Sequence, residues 1–115
     1  MHCRIAFFAA LLLAAPANAA SFDGTWSVEG TTDVGPCAKS FSGEIVIRGN
    51  DLVSTSDAGA QALGSIDAKG DAWARLTRSD GVARANGRFR GATGSGAWSS
   101  NTAYCGGRWT ARKKG

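Results

Sequence analysis

With 115 residues the chain has room for one modest domain behind a leader and no more. Thirteen Lys and Arg against nine Asp and Glu leave a formal charge of +4, a mild bias well short of a nucleic-acid-binding composition, so nucleic acid is not an expected partner. Sixteen glycines and few long aliphatics mean that any core must rest on a handful of aromatics and on backbone pairing.

The chain opens with "MHCR", a short basic stretch, followed by the apolar run "IAFFAALLLAA" and then "PANA", with small residues at Ala17 and Ala19. This order predicts a signal peptide over residues 1–19, cleaved after Ala19. The apolar run is too short for a comfortable membrane span, and no second one follows, so no transmembrane segment is expected after cleavage. Cys3 lies far from the cleavage site, which argues against a lipoprotein. Residues 20–115 are then one domain with a short basic C-terminal tail, and the expected location is the periplasm or the exterior.

Cleavage removes the only histidine, His2, and leaves two cysteines, Cys37 and Cys105. An even pair in an exported chain predicts one disulfide. Two distant thiolates with no histidine and no further thiol make a poor zinc site, so neither a metal nor another cofactor is expected.

Along the mature chain no segment holds a 3.6-residue period; short extended runs alternate with turn residues instead. "SFDGTWSVEG" puts Phe22, Gly24, Trp26 and Val28 on one face, and "KSFSGEIVIRG" does the same with Phe41, Gly43, Ile45 and Ile47. "NDLVSTS", "ALGSIDA" and "DAWARLTR" follow, separated by "GN", "DAGA" and "KGD". "SDG" at Ser79–Gly81 is a tight-hairpin signal, and "VARANGRFRG", "GSGAWSS" and "YCGGRWTARK" complete the set. The expectation is an all-β, single-domain antiparallel meander of about eight strands. A small closed barrel is favoured because closure removes exposed edges, with a β-sandwich as the alternative.

Three copies of Gly-x-Trp stand out, at Gly24–Trp26, Gly96–Trp98 and Gly107–Trp109. Residues two apart on a strand share a face, so each glycine is read as leaving room for the indole that follows it. The three copies fall in the first, seventh and eighth expected strands, which become neighbours if the barrel closes. Trp26, Trp98 and Trp109 with Phe89 are therefore the expected interior aromatics. Packing among them is the default, and the many inward glycines and alanines leave a hollow interior open as the other outcome.

"FDGTWSV", the cysteine soon after it, "GSGAWS" and the closing "CGGRWTARKKG" together resemble a group of small exported, functionally uncharacterised proteins of alphaproteobacteria such as rhizobia. The resemblance covers nearly the whole mature chain. It implies a Gram-negative source and an exported single-domain β-protein, and it supplies no catalytic or binding residues. "GTW" is also similar to the first strand of avidin-type biotin-binding barrels, a likeness of a few residues at the level of fold.

For catalysis the mature chain offers serines without a histidine base, and both cysteines are expected to be oxidised. Asp67 and Asp71, the nearest thing to a carboxylate pair, sit in "DAKGD", which reads as a turn with solvated acids. "GATGSG" lacks the lysine and helix start of a phosphate loop. No catalytic residue and no enzyme are expected. In "VARANGRFRG", Arg84, Arg88 and Arg90 share one face of a strand, opposite Ala83, Ala85, Gly87 and Phe89. The arginine face is either a solvated wall or a site for an anionic group, with Trp73 as a flanking ring.

The leading expectation is a non-catalytic exported barrel that binds a small molecule inside or an anionic group on its arginine face. The alternatives are an inhibitor of an exported hydrolase (protease or lysozyme) and a structural or stress-related envelope protein. Expected partners are accordingly a small ligand, an anionic envelope component or an exported hydrolase. The inhibitor reading rests on an architectural likeness to the metalloprotease-inhibitor barrels, without a shared motif.

Overall fold

The computed structural model describes residues 21–114, so the expected leader over 1–19 lies outside the described residues. Eight antiparallel strands follow one another: β1 (Gly24–Val34), β2 (Ser40–Arg48), β3 (Asp51–Thr55), β4 (Gln61–Ile66), β5 (Asp71–Arg78), β6 (Gly81–Arg90), β7 (Thr93–Ser100) and β8 (Cys105–Lys113). Each pairs with its sequence neighbours, and β8 returns to β1, so the sheet closes into an up-and-down barrel. The sandwich alternative is excluded by that single closed order.

Short connections hold the meander together. Gly49 and Asn50, with φ of 62° and 60°, form the two-residue loop between β2 and β3. Both residues sit in the left-handed region, as a hairpin turn whose twist matches its strands requires. Ser79 and Asp80 form the loop between β5 and β6, with Gly81 opening the next strand opposite Arg78. The Cys37–Cys105 disulfide, with Cα atoms 6.1 Å apart, ties the β1–β2 connection to the start of β8. It closes a loop spanning 68 residues, worth about 4 kcal/mol by chain-entropy reasoning. A bond of this kind points to an environment outside a reducing cytoplasm. Among the described residues no helix is long and apolar enough to cross a membrane.

The barrel is packed at one end only. Phe22, Trp26, Ile47, Ile66, Phe89 and Ala111 form a buried cluster where β1, β3, β5 and β7 begin. The chain before β1 lies across this end as a floor. Phe22 N–H donates to Asn50 Oδ1 at 2.8 Å, Asn50 N–H to Asp23 Oδ1 at 2.9 Å, and Trp26 Nε1 to the Phe22 carbonyl at 2.9 Å. Trp26 is completely buried, and Phe89 meets it edge-on at 4.8 Å between ring centroids.

One seam of the barrel is thin. Between β3 and β4 the ladder consists of the single pair Asp51–Ser65, whereas the β5–β6 ladder holds eight. The β2–β3 register shifts between Val46 and Ile47, so Val53 is the extra residue of a β-bulge in β3. Val53 and Leu63, both exposed, stand on the two sides of this seam.

Candidate functional site

Above the packed floor the interior is hollow. A cavity of about 770 Å³ opens at the end of the barrel that carries the disulfide. Its wall is aromatic on one side, with Phe41, Trp98 and Trp109, and shallow on the other, where β5 and β6 contribute Ala74, Ala83 and Ala85. The paired alanines Ala74 and Ala85 are what leave the space, because each inward position there carries only a methyl group. Val28, Ile45, Leu52 and Leu76 complete an apolar lining. The default expectation of a filled interior therefore holds for the floor and fails above it.

The three expected indoles do all face inward, but they do different jobs. Trp26 is part of the floor, while Trp98 and Trp109 are partly buried and line the cavity. Their polar atoms are satisfied by backbone: Trp98 Nε1 donates to the Thr31 carbonyl at 3.1 Å and Trp109 Nε1 to that of Ala97 at 3.2 Å. Phe41 packs edge-on against Trp98 at 5.5 Å, and Phe89 lies 5.7 Å from Trp109. The lining thus presents ring faces and methyl groups with the indole N–H groups already engaged, a surface suited to an apolar guest.

In two of its three copies the Gly-x-Trp motif works across strands, whereas Trp26 of the first faces Ile45 and Lys113 and no glycine. In the β7–β8 register Gly96 faces Trp109 and Trp98 faces Gly107, so two copies of the motif exchange partners. Gly87, opposite Gly96, extends the bed of Trp109 by one more strand. The same device recurs where Phe41 lies over Gly30 and Phe89 over Gly94, two pairs not foreseen from sequence. The local signal for them, an inward glycine, was visible; which ring covers which glycine depends on register.

At the mouth, polar groups gather on the β5–β6 side. Arg78 NH1 bonds Asp57 Oδ2 at 3.0 Å, and its Nε lies 3.4 Å from Asp80 Oδ1. Ser100 Oγ donates to the Val82 carbonyl at 2.8 Å and Val82 N–H to Thr102 Oγ1 at 3.0 Å, pinning the β7–β8 connection to the start of β6. These contacts hold the rim in place around the opening.

The arginines of β6 point outward, as the strand alternation requires, and separate along the wall. Arg84 faces Arg75 on one side and Ser99 on the other. Arg88 is held by Asp71, with Nε and NH2 at 3.0 and 2.7 Å from one carboxylate oxygen. Arg90 lies at the far end opposite Thr93. Trp73 is exposed between Ser65 and Asn86, its cross-strand neighbours, with no arginine directly beside it in the register. Asp67 and Asp71 are engaged separately: Asp67 accepts from the backbone N–H groups of Lys69 and Asp71, and Asp71 binds Arg88. Of the basic residues near the C-terminus, Arg108, Arg112 and Lys113 lie on β8, with Arg108 paired to Asp33, and Lys114, just past the strand, pairs with Glu44. Among the described residues no group of three or more His, Cys, Asp and Glu is arranged to hold a metal ion.

Fold and site together define a small disulfide-bonded up-and-down β-barrel with a plugged floor and an open apolar interior. No protein-family model matches the chain, and no curated protein matches it significantly.

Proposed function

We propose that this protein is an exported, non-catalytic binding protein that holds a small apolar molecule inside its barrel. The observation that carries this reading is the open cavity of about 770 Å³ lined by Phe41, Trp98, Trp109 and the alanines of β5 and β6. That volume lies within the range of drug-sized ligand sites, roughly 300–1,000 Å³. Transfer of an apolar guest from water to such a wall is favourable by about 25 cal/mol for each Å² of apolar surface covered. The leader-like start, the absence of histidine from the expected mature chain and the disulfide all support export without catalysis.

The test is a titration of the oxidised mature protein with N-phenyl-1-naphthylamine, a neutral apolar fluorophore. Saturable fluorescence enhancement is expected, with quenching of the Trp98 and Trp109 emission. Ala85→Trp, which builds a large ring into the cavity from the β6 wall, should weaken binding at least about tenfold while leaving the barrel folded. Absence of saturable binding, or equal binding by a folded Ala85→Trp variant, would refute the proposal. Native mass spectrometry of protein recovered from its own export compartment would then identify the natural guest.

A further inference from the structure

A second depression lies on the outer wall, separated from the interior by the sheet itself. It has a volume of about 740 Å³ and spans β6, β7, β8 and β1. The ladders align outward residues across these four strands in two adjacent rows. In the first, Arg90 faces Thr93, Thr93 faces Arg112, and Arg112 faces Ser27. In the second, Arg88, Ser95 and Thr110 follow one another and Glu29 stands at the β1 end.

A closed barrel is convex outside, so a hollow there needs short side chains flanked by long ones. Ser27, Thr93, Ser95 and Thr110 form the floor, and the guanidinium-bearing chains form the walls. The three arginines are not equivalent. Arg88 is committed to Asp71. Among the described residues, Arg90 and Arg112 have no carboxylate within ion-pair distance, although they flank the same residue, Thr93. Directly opposed residues on neighbouring strands lie about 5 Å apart, so both side chains can reach over Thr93 to a common point. Two guanidinium groups brought together over Thr93, neither of them ion-paired, repel each other, and an anion between them removes the repulsion. Guanidinium groups bind a tetrahedral oxyanion through paired N–H donors; the Thr93 hydroxyl donates to the Arg90 carbonyl at 3.3 Å, and those of Ser95 and Thr110 can donate to the remaining oxygens. Glu29, on the strand next to Arg112 and one row over, disfavours a second anionic group and can accept a hydrogen bond from a ligand hydroxyl.

We propose that this depression binds the phosphate or sulfate group of a polar ligand, with Arg90 and Arg112 as the two clamps over Thr93. The site replaces the sequence grouping of Arg84, Arg88 and Arg90: Arg84 stands three rows from the clamps, beside Arg75, and Arg112 takes its place from β8. It is independent of the interior cavity and stands or falls separately from it.

The experiment is an amide NMR titration of the oxidised mature protein at low ionic strength, with inorganic phosphate, inorganic sulfate and glucose 6-phosphate. Saturable shifts are expected at Thr93–Ser95 and Thr110–Arg112. Arg90→Ala/Arg112→Ala should weaken binding at least about tenfold. Arg75→Ala/Arg84→Ala removes the same charge from elsewhere on the wall and should change affinity less than about twofold. Tighter binding of the sugar ester than of the free ions would identify an esterified ligand, and equal binding a free oxyanion. Non-saturating shifts spread over all the arginine-bearing strands, or equal losses in the two double variants, would overturn the proposal by reducing the effect to general positive charge. Both variants alter exposed residues, and the dispersion of their own spectra reports whether the barrel persists.

Discussion

Gly96 and Trp109 face each other directly across β7 and β8, and two residues along the same ladder Trp98 faces Gly107. Each indole therefore lies over a strand that has no side chain to obstruct it. A Cβ added at Gly87, at the next strand, would sit 2.7 Å from Trp109 Cζ2. At Gly96 itself the added atom would run into the Asn86 carbonyl and approach Gly87 Cα at 2.6 Å. Gly96→Ala is expected to destabilise the barrel by about 1–3 kcal/mol, the usual range for overpacking. Urea denaturation followed by tryptophan emission measures it. A loss of under about 0.5 kcal/mol would show that the β6 and β7 backbones shift apart freely, and that the close approach of Gly96 to Asn86 and Gly87 is not a packing constraint.

The thin seam between β3 and β4 has a dynamic consequence. Ile66 N–H donates to the Asn50 carbonyl, so strand alternation directs the backbone groups of Ala62 toward β3 and those of Leu63 toward β5. The β4–β5 ladder is continuous at Leu63, while the β3–β4 ladder ends at Asp51–Ser65. Hydrogen exchange at Ala62 should be at least about tenfold faster than at Leu63 once intrinsic rates are divided out, because only the latter must wait for an opening of the sheet. Equal protection at the two residues would mean that the seam is zipped in solution.

Acid should act through two turns at the floor. The carboxyl groups of Asp23 and Asp67 titrate below their ordinary value of 3.8. The leading cause at Asp23 is the backbone N–H of Asn50, followed by that of Gly49; at Asp67 it is the N–H of Asp71, followed by that of Lys69. Because the folded values lie below the unfolded ones, the stability these groups contribute is complete above the ordinary value. It is lost as pH falls through the folded values, where the unfolded chain has already taken up its protons. The urea midpoint of the natural protein should fall between about pH 5 and pH 2. Asp23→Asn/Asp67→Asn keeps an acceptor oxygen at each turn without a titrating group, and its midpoint should fall less. An equally steep fall would assign the acid sensitivity to the ion pairs of the outer wall instead.

Much of the barrel was legible because β structure writes its facing into a period of two. All eight strands lie where the alternating runs and their turn residues place them, and Ala83, Ala85, Gly87 and Phe89 share the face opposite Arg84, Arg88 and Arg90. The cysteine pair was legible from compartment logic alone. Less could be read of the candidate sites. That Phe41 covers Gly30, that the "GSGAW" and "GGRW" segments exchange partners, and that Arg112 joins Arg90 are facts of register. They involve residues separated by up to tens of positions, and no local pattern encodes them. Tertiary context also decided Asp71, which binds Arg88 from β6.

The sequence by itself determined strand order, the face each side chain takes and the chance of a disulfide, because these follow from alternation, turn chemistry and cysteine count. Tertiary structure alone decided where the interior is full and where it is empty. Phe22 and Trp26 meet Phe89 and Ile66 at one end, while the methyl groups of Ala74 and Ala85 fall opposite each other at the other. Packing density is a property of side chains brought together around a closed ring, so it first exists once β8 has returned to β1.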